Sequence, residues 1–369
     1  MCFLVVTVLV VVASLGGSYA QRGAGCRGAN SQQGTCGTIG DCPPLFGLLG
    51  QLRAGTAPPG ALDTLRRAIC GYERNFPLVC CTAPGAAGVT PAPGDSSKLP
   101  KRCGISGLTD KIIDGVDAPL LAWPWMALLR GKVNGQLVWF CGGVLINDRY
   151  VLTAAHCFKS ALVTLESVRL GEHTLQQNPD CEKRLCAPTP QDIAVERIIS
   201  HPDYRKPCSE CNDIALLRLA HPAILNPLHV VPICVPVNPQ KDLGFSEAQY
   251  QGKTAWAAGW GSVSRDSATF VRLNTLQQVQ LPIQNLDFCE TLRKDYPDNR
   301  MVICAGGEGK DTCRGDSGGP LTLTNSDVSR HYVVGITSLG PRECGSSNTQ
   351  GLYSSVSFYA QWILSNLQP

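Results

Sequence analysis

The apolar positions of this chain fall into three patterns. At the amino terminus Met1–Ala13 is an almost unbroken apolar run that stops at Gly16-Gly17-Ser18. Elsewhere short runs rich in β-branched residues alternate with turn residues, as an all-β domain requires. Cys141-Gly-Gly-Val-Leu-Ile146 and Ile214-Ala-Leu-Leu-Arg-Leu219 are two such runs. Near the carboxyl terminus Phe358, Trp362 and Ile363 recur at helical spacing within Phe358–Asn366, which predicts a short helix. Two stretches lack pattern. Gly47–Pro59 is a long Gly/Ala/Pro loop, and Thr82–Pro100 is rich in Ala, Pro, Gly and Ser, with Val89 and Leu99 among its few larger apolar residues. The second has the composition of a mobile linker.

The first apolar run suits a signal peptide. Ser18-Tyr-Ala20 places small residues where a signal peptidase reads, although no positive charge precedes the apolar core. A retained membrane anchor is the alternative; the run is short for one and ends in glycines. The expectation is a secreted chain starting near Gln21, with no membrane span in the mature protein. With 32 Lys+Arg against 29 Asp+Glu, nothing points to a nucleic-acid partner. Of 19 cysteines Cys2 leaves with the leader, and the even remainder reads as the disulfide framework of a secreted protein. Cys26, Cys36, Cys42, Cys70, Cys80 and Cys81 lie in a region too small to bury much core, where disulfides would stabilise in its place. Spacing alone leaves their pairing open.

Candidate chemistry is concentrated in three motifs. Asp311-Thr-Cys-Arg-Gly-Asp-Ser-Gly-Gly-Pro320 sets a serine in a glycine-rich turn. Such a turn exposes the hydroxyl and brings backbone N–H groups close to a developing oxyanion. Tyr150-Val-Leu-Thr-Ala-Ala-His-Cys157 follows an apolar stretch, so His156 sits just past a strand, beside a cysteine that could be stapled to Cys141. Asp213 stands at the mouth of the second apolar run, where a carboxylate can fix the imidazole tautomer.

In the order His156, Asp213, Ser317 these motifs resemble the chymotrypsin–trypsin family of serine endopeptidases over residues 112–369. The resemblance implies an all-β fold of two six-stranded antiparallel β-barrels with a C-terminal helix. In the family template His156 is general base and then general acid, Asp213 orients it, and Ser317 is the nucleophile. The N–H groups of Gly315 and Ser317 would form the oxyanion hole. Asp311 falls where trypsin-like members place the carboxylate at the base of the primary pocket. It would select Arg or Lys, because an apolar side chain leaves a buried anion unpaired. Gly340 and Gly351 match positions that keep the pocket open. Ser338 lies on the Ile336–Gly340 segment that pairs with substrate backbone in relatives, and Leu339 replaces a common tryptophan, which weakens the aromatic wall beside it. Asp110-Lys111-Ile112-Ile-Asp-Gly115 matches the activation site. A cut after Lys111 frees the Ile112 amino group, which by resemblance pairs with Asp316 and completes the oxyanion loop.

The adjacent pair Cys80-Cys81 and the spacing of the four cysteines before it resemble the clip domain of arthropod serine proteases, implying Cys26–Cys80, Cys36–Cys70 and Cys42–Cys81. The organisation is then signal peptide 1–20, clip domain 26–81, linker and activation segment 82–111 and protease domain 112–369. By the same resemblance Cys103–Cys234 tethers the two parts after cleavage, while Cys141–Cys157, Cys289–Cys304 and Cys313–Cys344 brace the protease. Relatives often close a short loop like Cys181–Cys186, which leaves Cys208–Cys211; a four-thiolate zinc site is the alternative. Gly171–Asp180 resembles a calcium loop of clip proteases, with Glu172, Thr174, Gln177 and Asp180 at the ligand positions. Thr174 replaces an acidic residue and Gln177 a threonine, so affinity should be reduced, with a solvated loop as the alternative. The chemistry itself needs no cofactor.

The resemblance thus implies a zymogen that cleaves after Arg or Lys in an extracellular cascade of arthropod immunity, including melanization, or of development. Prophenoloxidase, a downstream clip protease or a pro-Spätzle-like cytokine would be substrates, an upstream protease the activator, and serpins the inhibitors. A digestive trypsin and a catalytically dead clip homologue acting as adaptor are the rival readings. The clip module argues against the first, and the presence of Ser317, His156 and Asp213 against the second.

Overall fold

A computed structural model describes residues 23–27, 33–38, 42, 45, 48, 58, 60–73, 76–82, 96–106, 116–182, 185–262, 272–340 and 350–368. It divides into two units, Met1–Thr90 and Pro91–Pro369. The proposed signal peptide, Lys111, Ile112 and Cys344 lie outside the described residues.

In the first unit β1 (Gly25–Arg27), β2 (Gln33–Gly37), β3 (Ile69–Glu73) and β4 (Phe76–Thr82) form an antiparallel sheet in the order β1-β2-β4-β3. Helix Ala61–Arg67 has Asp63 in its first turn and Arg66 and Arg67 in its last, charges that complement its dipole. It buries Ala61 and Leu65, one turn apart. The apolar core around Cys42, Ala68 and Val79 is small. Disulfides Cys26–Cys80, Cys36–Cys70 and Cys42–Cys81 therefore carry much of the load. Each contributes about 2–4 kcal/mol, largely by restricting the unfolded chain.

The second unit begins with β5 (Val116–Asp117), β6 (Met126–Val133), β7 (Gln136–Leu145), β8 (Tyr150–Thr153) and β9 (Val163–Leu170). A small hairpin follows, β10 (Cys181–Glu182) and β11 (Leu185–Cys186), and then β12 (Gln191–Ser200) and β13 (Ala215–Leu219). Strands β12-β13-β8-β7-β6-β9 close into a six-stranded barrel. Its inner strands are buried on both faces, as the unbroken apolar runs Tyr150–Thr153 and Ala215–Leu217 require.

The remaining strands are β14 (Thr254–Gly259), β15 (Gln277–Pro282), β16 (Val302–Gly306), β17 (Pro320–Thr324), β18 (His331–Leu339) and β19 (Gln350–Ser355). They form a sheet in the order β16-β19-β18-β17-β14-β15, with β5 added at the edge. This second layer differs from a fully closed six-stranded barrel. Its end strands meet through a single bridge, Ile283 with Ala305, so it is a half-barrel.

The terminal helix, Ala360–Asn366, buries Ala360, Ile363 and Leu364. Phe358 precedes it and is partly exposed, against the edge of Tyr359, while Trp362 stacks on His201. Of the three residues that the spacing singled out, Ile363 faces the core, and Ala360 and Leu364 complete the buried stripe in place of Phe358 and Trp362. Cys103–Cys234, Cys141–Cys157, Cys181–Cys186, Cys208–Cys211 and Cys289–Cys304 are formed. With Cys181, Cys186, Cys208 and Cys211 in two disulfides, the four-thiolate zinc alternative is removed.

Candidate active site

Strand β8 ends at Thr153, whose Oγ1 donates to the Gly142 carbonyl at 2.7 Å. The chain then turns through a 3-10 segment, Ala155–Phe158, pinned to β7 by Cys141–Cys157. That turn carries His156. Asp213, just before β13, accepts the His156 backbone N–H on Oδ1 at 2.7 Å and lies 2.7 Å from His156 Nδ1 through Oδ2. Ser338 Oγ donates to the same Oδ2, and Ser354 Oγ donates to the Asp213 carbonyl at 2.7 Å. Burial opposes ionisation of Asp213, but His156 and these donors outweigh it and hold its carboxyl below the usual carboxylate range. An ionised carboxylate has no proton to give, so Nδ1 must be the donor and Nε2 is left to accept one.

Asn212 fixes this carboxylate from behind. It has φ 59, a left-handed conformation that asparagine tolerates better than most residues. Its Nδ2 donates to the carbonyls of Asp203 and Lys206, and its Oδ1 accepts from Tyr359 OH.

The serine loop is pressed against the His156 turn. Gly142 N–H donates to the Ser317 carbonyl at 2.8 Å, and Gly318 N–H to the Thr337 carbonyl at 2.9 Å. Gly318 has φ 78, and a β-carbon there would overlap Thr153 Oγ1 and the Gly142 carbonyl, with Ala154 N at 3.1 Å. Only glycine lets the loop come this close. Gly315 has φ 100, consistent with a loop that turns its N–H groups inward.

The Asp316 carboxylate lies against Gly259 and Gly261. Its oxygens accept the N–H groups of Gly261 (2.8 Å) and Cys313 (2.9 Å), and β-carbons at Gly259 or Gly261 would collide with the carboxyl. Burial pushes its carboxyl up, and the Cys313 and Gly261 N–H groups, with Arg272 behind them, offset this only in part. The Arg272 guanidinium donates to the carbonyls of Trp260 (3.4 Å) and Trp139 (3.2 Å). Among the described residues no cation forms an ion pair with Asp316.

Both carboxylate oxygens of Asp311 are buried and neither accepts a well-formed hydrogen bond; burial pushes the group up to about 7, a rise that the nearby Thr312 N–H only partly offsets. A β-carbon at Gly351 would lie 3.2 Å from Asp311 Oδ1, whereas at Gly340 its nearest contact would be 3.9 Å. Gly351 thus keeps the approach to Asp311 clear. Tyr353 OH, bonded to Thr312 Oγ1 at 2.9 Å, backs the pocket. Cys313 is disulfide-bonded.

His156, Asp213 and Ser338 form one hydrogen-bonded group, the Ser317 loop packs on Gly142 and Thr153, and Gly351 lies beside Asp311. Ser338 lies on the expected strand, but its hydroxyl faces Asp213. Asn212, Ser354, Tyr353 and Arg272 were missed. Only Asn212 carried a local signal, the left-handed preference of asparagine ahead of a strand.

The calcium reading does not fit. Asp180 accepts the N–H groups of His173 and Thr174, Glu172 pairs with Arg169, and the Thr174 hydroxyl is engaged by His173 Nδ1 and Thr275. A calcium ion wants six to eight oxygens. Among the described His, Cys, Asp and Glu side chains the one trio close enough to share a metal is Cys141, His156 and Cys157, and both cysteines are in a disulfide.

Comparison with known proteins agrees with this geometry. Residues 112–363 match the trypsin family, and residues 26–81 match the regulatory CLIP domain of proteinases. The chain is 37% identical over 355 residues to phenoloxidase-activating factor 3 of Holotrichia diomphalia, spanning 93% of each. It is 37% identical over 371 residues to serine protease ea of Drosophila melanogaster, spanning 93% of this chain and 91% of that one. The crystal structure of the Drosophila Grass clip serine protease of the Toll pathway superposes with a TM-score of 0.61 at 28% identity, covering 94% of this chain and 97% of that chain.

Proposed function

The chain belongs to the trypsin family of serine endopeptidases and carries a regulatory CLIP domain, and on that footing we propose that it is a secreted zymogen acting in an extracellular proteolytic cascade. Ser317 Oγ attacks the scissile carbonyl while its proton passes to His156 Nε2, and Asp213 stabilises the resulting imidazolium. The N–H groups of Gly315 and Ser317 hold the oxyanion, and His156 then protonates the leaving amine. The observation that carries this reading is the 2.7 Å pair between His156 Nδ1 and buried Asp213, beside a serine loop that glycine allows against the same turn.

Cleavage follows Arg or Lys. Asp311 is a buried carboxylate that accepts no well-formed hydrogen bond, and a guanidinium or ammonium entering the pocket supplies a partner. The chain is inactive until it is cut after Lys111, when the Ile112 ammonium joins Asp316 in its glycine-lined cradle. Names among the relatives favour two end uses. Phenoloxidase-activating factors support prophenoloxidase activation, and Grass supports processing of a Toll-pathway component. An upstream protease would activate the chain and serpins would stop it.

Activated enzyme incubated with purified prophenoloxidase or a candidate downstream zymogen should create new N-termini after Arg or Lys. Ser317→Ala enzyme should create none. Cuts after apolar residues, or cuts that survive Ser317→Ala, would overturn the assignment.

A further inference from the structure

Glu172 and Asp180 are two buried acids on one loop, 7% and 2% exposed. Buried carboxylates need a cation or a full set of donors. Here Arg169 meets Glu172, while Asp180 accepts only backbone N–H groups, and burial together with the neighbouring Asp180 still holds the Glu172 carboxyl above its usual range. Arg169 stands directly opposite Asp192 in the β9–β12 pairing. Its Nε and Nη2 donate to Asp192 Oδ1 at 2.7 Å and Oδ2 at 2.6 Å, a bidentate fork, and Nη1 reaches Glu172 Oε2 at 3.0 Å. The Trp139 ring lies against the same guanidinium, 4.8 Å from its centre.

The remaining acid oxygens face N–H groups. Glu172 Oε1 and Asp180 Oδ2 share the His173 N–H at 2.9 and 3.0 Å, and Asp180 Oδ1 accepts from Thr174 N–H at 3.1 Å. The Thr174 carbonyl closes a turn with Gln177 N–H at 2.8 Å. Inward-facing N–H groups have the opposite polarity to the carbonyl and carboxylate oxygens that a hard cation gathers.

We propose that Arg169, paired with Glu172 and Asp192, is the resident cation of the Gly171–Asp180 loop, and that the loop keeps its form without a divalent metal. The fastening matters beyond the loop. The His173 carbonyl accepts Trp260 Nε1 at 3.1 Å and Leu276 N–H at 2.9 Å, and Trp260 adjoins Gly261, whose N–H holds Asp316. The proposal stands on the loop geometry and does not depend on the catalytic reading.

The test uses the full-length chain freed of metal with EDTA, then titrated with calcium chloride by calorimetry and followed by thermal unfolding. No saturable heat is expected, and the unfolding midpoint should stay within about 1 °C with or without calcium, since a ligand of the folded state would raise it. Arg169→Gln is expected to lower the midpoint by about 4 °C or more in EDTA. Arg169→Lys should recover only part of that loss, because an ammonium cannot make the fork. A saturable calcium-dependent rise in the wild-type midpoint that Glu172→Gln abolishes would overturn the proposal. So would an Arg169→Gln midpoint equal to wild type. Should Arg169→Gln fail to fold, the wild-type titration compared with Glu172→Gln decides.

Discussion

Asp213 and Asp311 are both buried carboxylates, and their surroundings push them in opposite directions. At Asp213 burial is outweighed by His156, Ser338 and the His156 N–H, so the anion is held. In this family an amide at that place favours the wrong imidazole tautomer, so Asp213→Asn should lower kcat by about 10⁴-fold with little change in KM. Steady-state kinetics giving less than a tenfold loss would contradict the assigned role. At Asp311 burial dominates and raises the group to about 7. Between about pH 4 and 7 the folded state then keeps a proton that the unfolded chain has released, so this residue makes stability fall as pH rises through that window. Asp311→Asn should therefore raise the unfolding midpoint at about pH 8, lose that advantage near pH 4, and abolish cleavage after Arg and Lys. A midpoint difference that does not vary with pH would show that Asp311 is not the raised group. Affinity for a small amidinium inhibitor should fall about tenfold per pH unit below 7, as the pocket anion is neutralised.

The elements that carry the site were legible because each functional residue sits at the end of an apolar run. His156 follows β8 and Asp213 precedes β13, and glycines mark the serine loop that packs against the end of β8. Gly318 is the sharpest case, since its positive φ and its contacts with Thr153 and Gly142 admit no side chain. Gly318→Ala is expected to reduce kcat/KM by about 10²-fold through displacement of Ser317. Unchanged kinetics would mean that the loop has freedom the packing denies. Other features were not legible. Helical spacing at the carboxyl end picked Ile363, which faces the core, but also Phe358 and Trp362, whereas Ala360 and Leu364 complete the buried face and Trp362 packs on His201. Ser338 was assigned to substrate by its strand, but strand position does not say that its hydroxyl meets an aspartate 125 residues away.

At the scale of the whole molecule, cysteine spacing and a linker poor in large apolar residues suggested separate parts, whereas the cation chemistry of the Glu172 loop was not legible. The loop at Glu172 matched a calcium pattern because the pattern counts only the loop. Arg169 and Asp192, 23 residues apart, become neighbours only when β9 and β12 pair. The Cys103–Cys234 bond has a further consequence. After a cut at Lys111 the clip unit should stay covalently attached, giving one band on a non-reducing gel and two after reduction. Loss of the clip fragment without reductant would contradict the tether. The most direct test of the central claim is the activity of purified full-length chain on an Arg peptide substrate, before and after a single cut shown by N-terminal sequencing to begin at Ile112. The expected result is negligible turnover in the uncut chain, a large rise on cutting, and none in Ser317→Ala. Equal activity in cut and uncut chain would contradict the account.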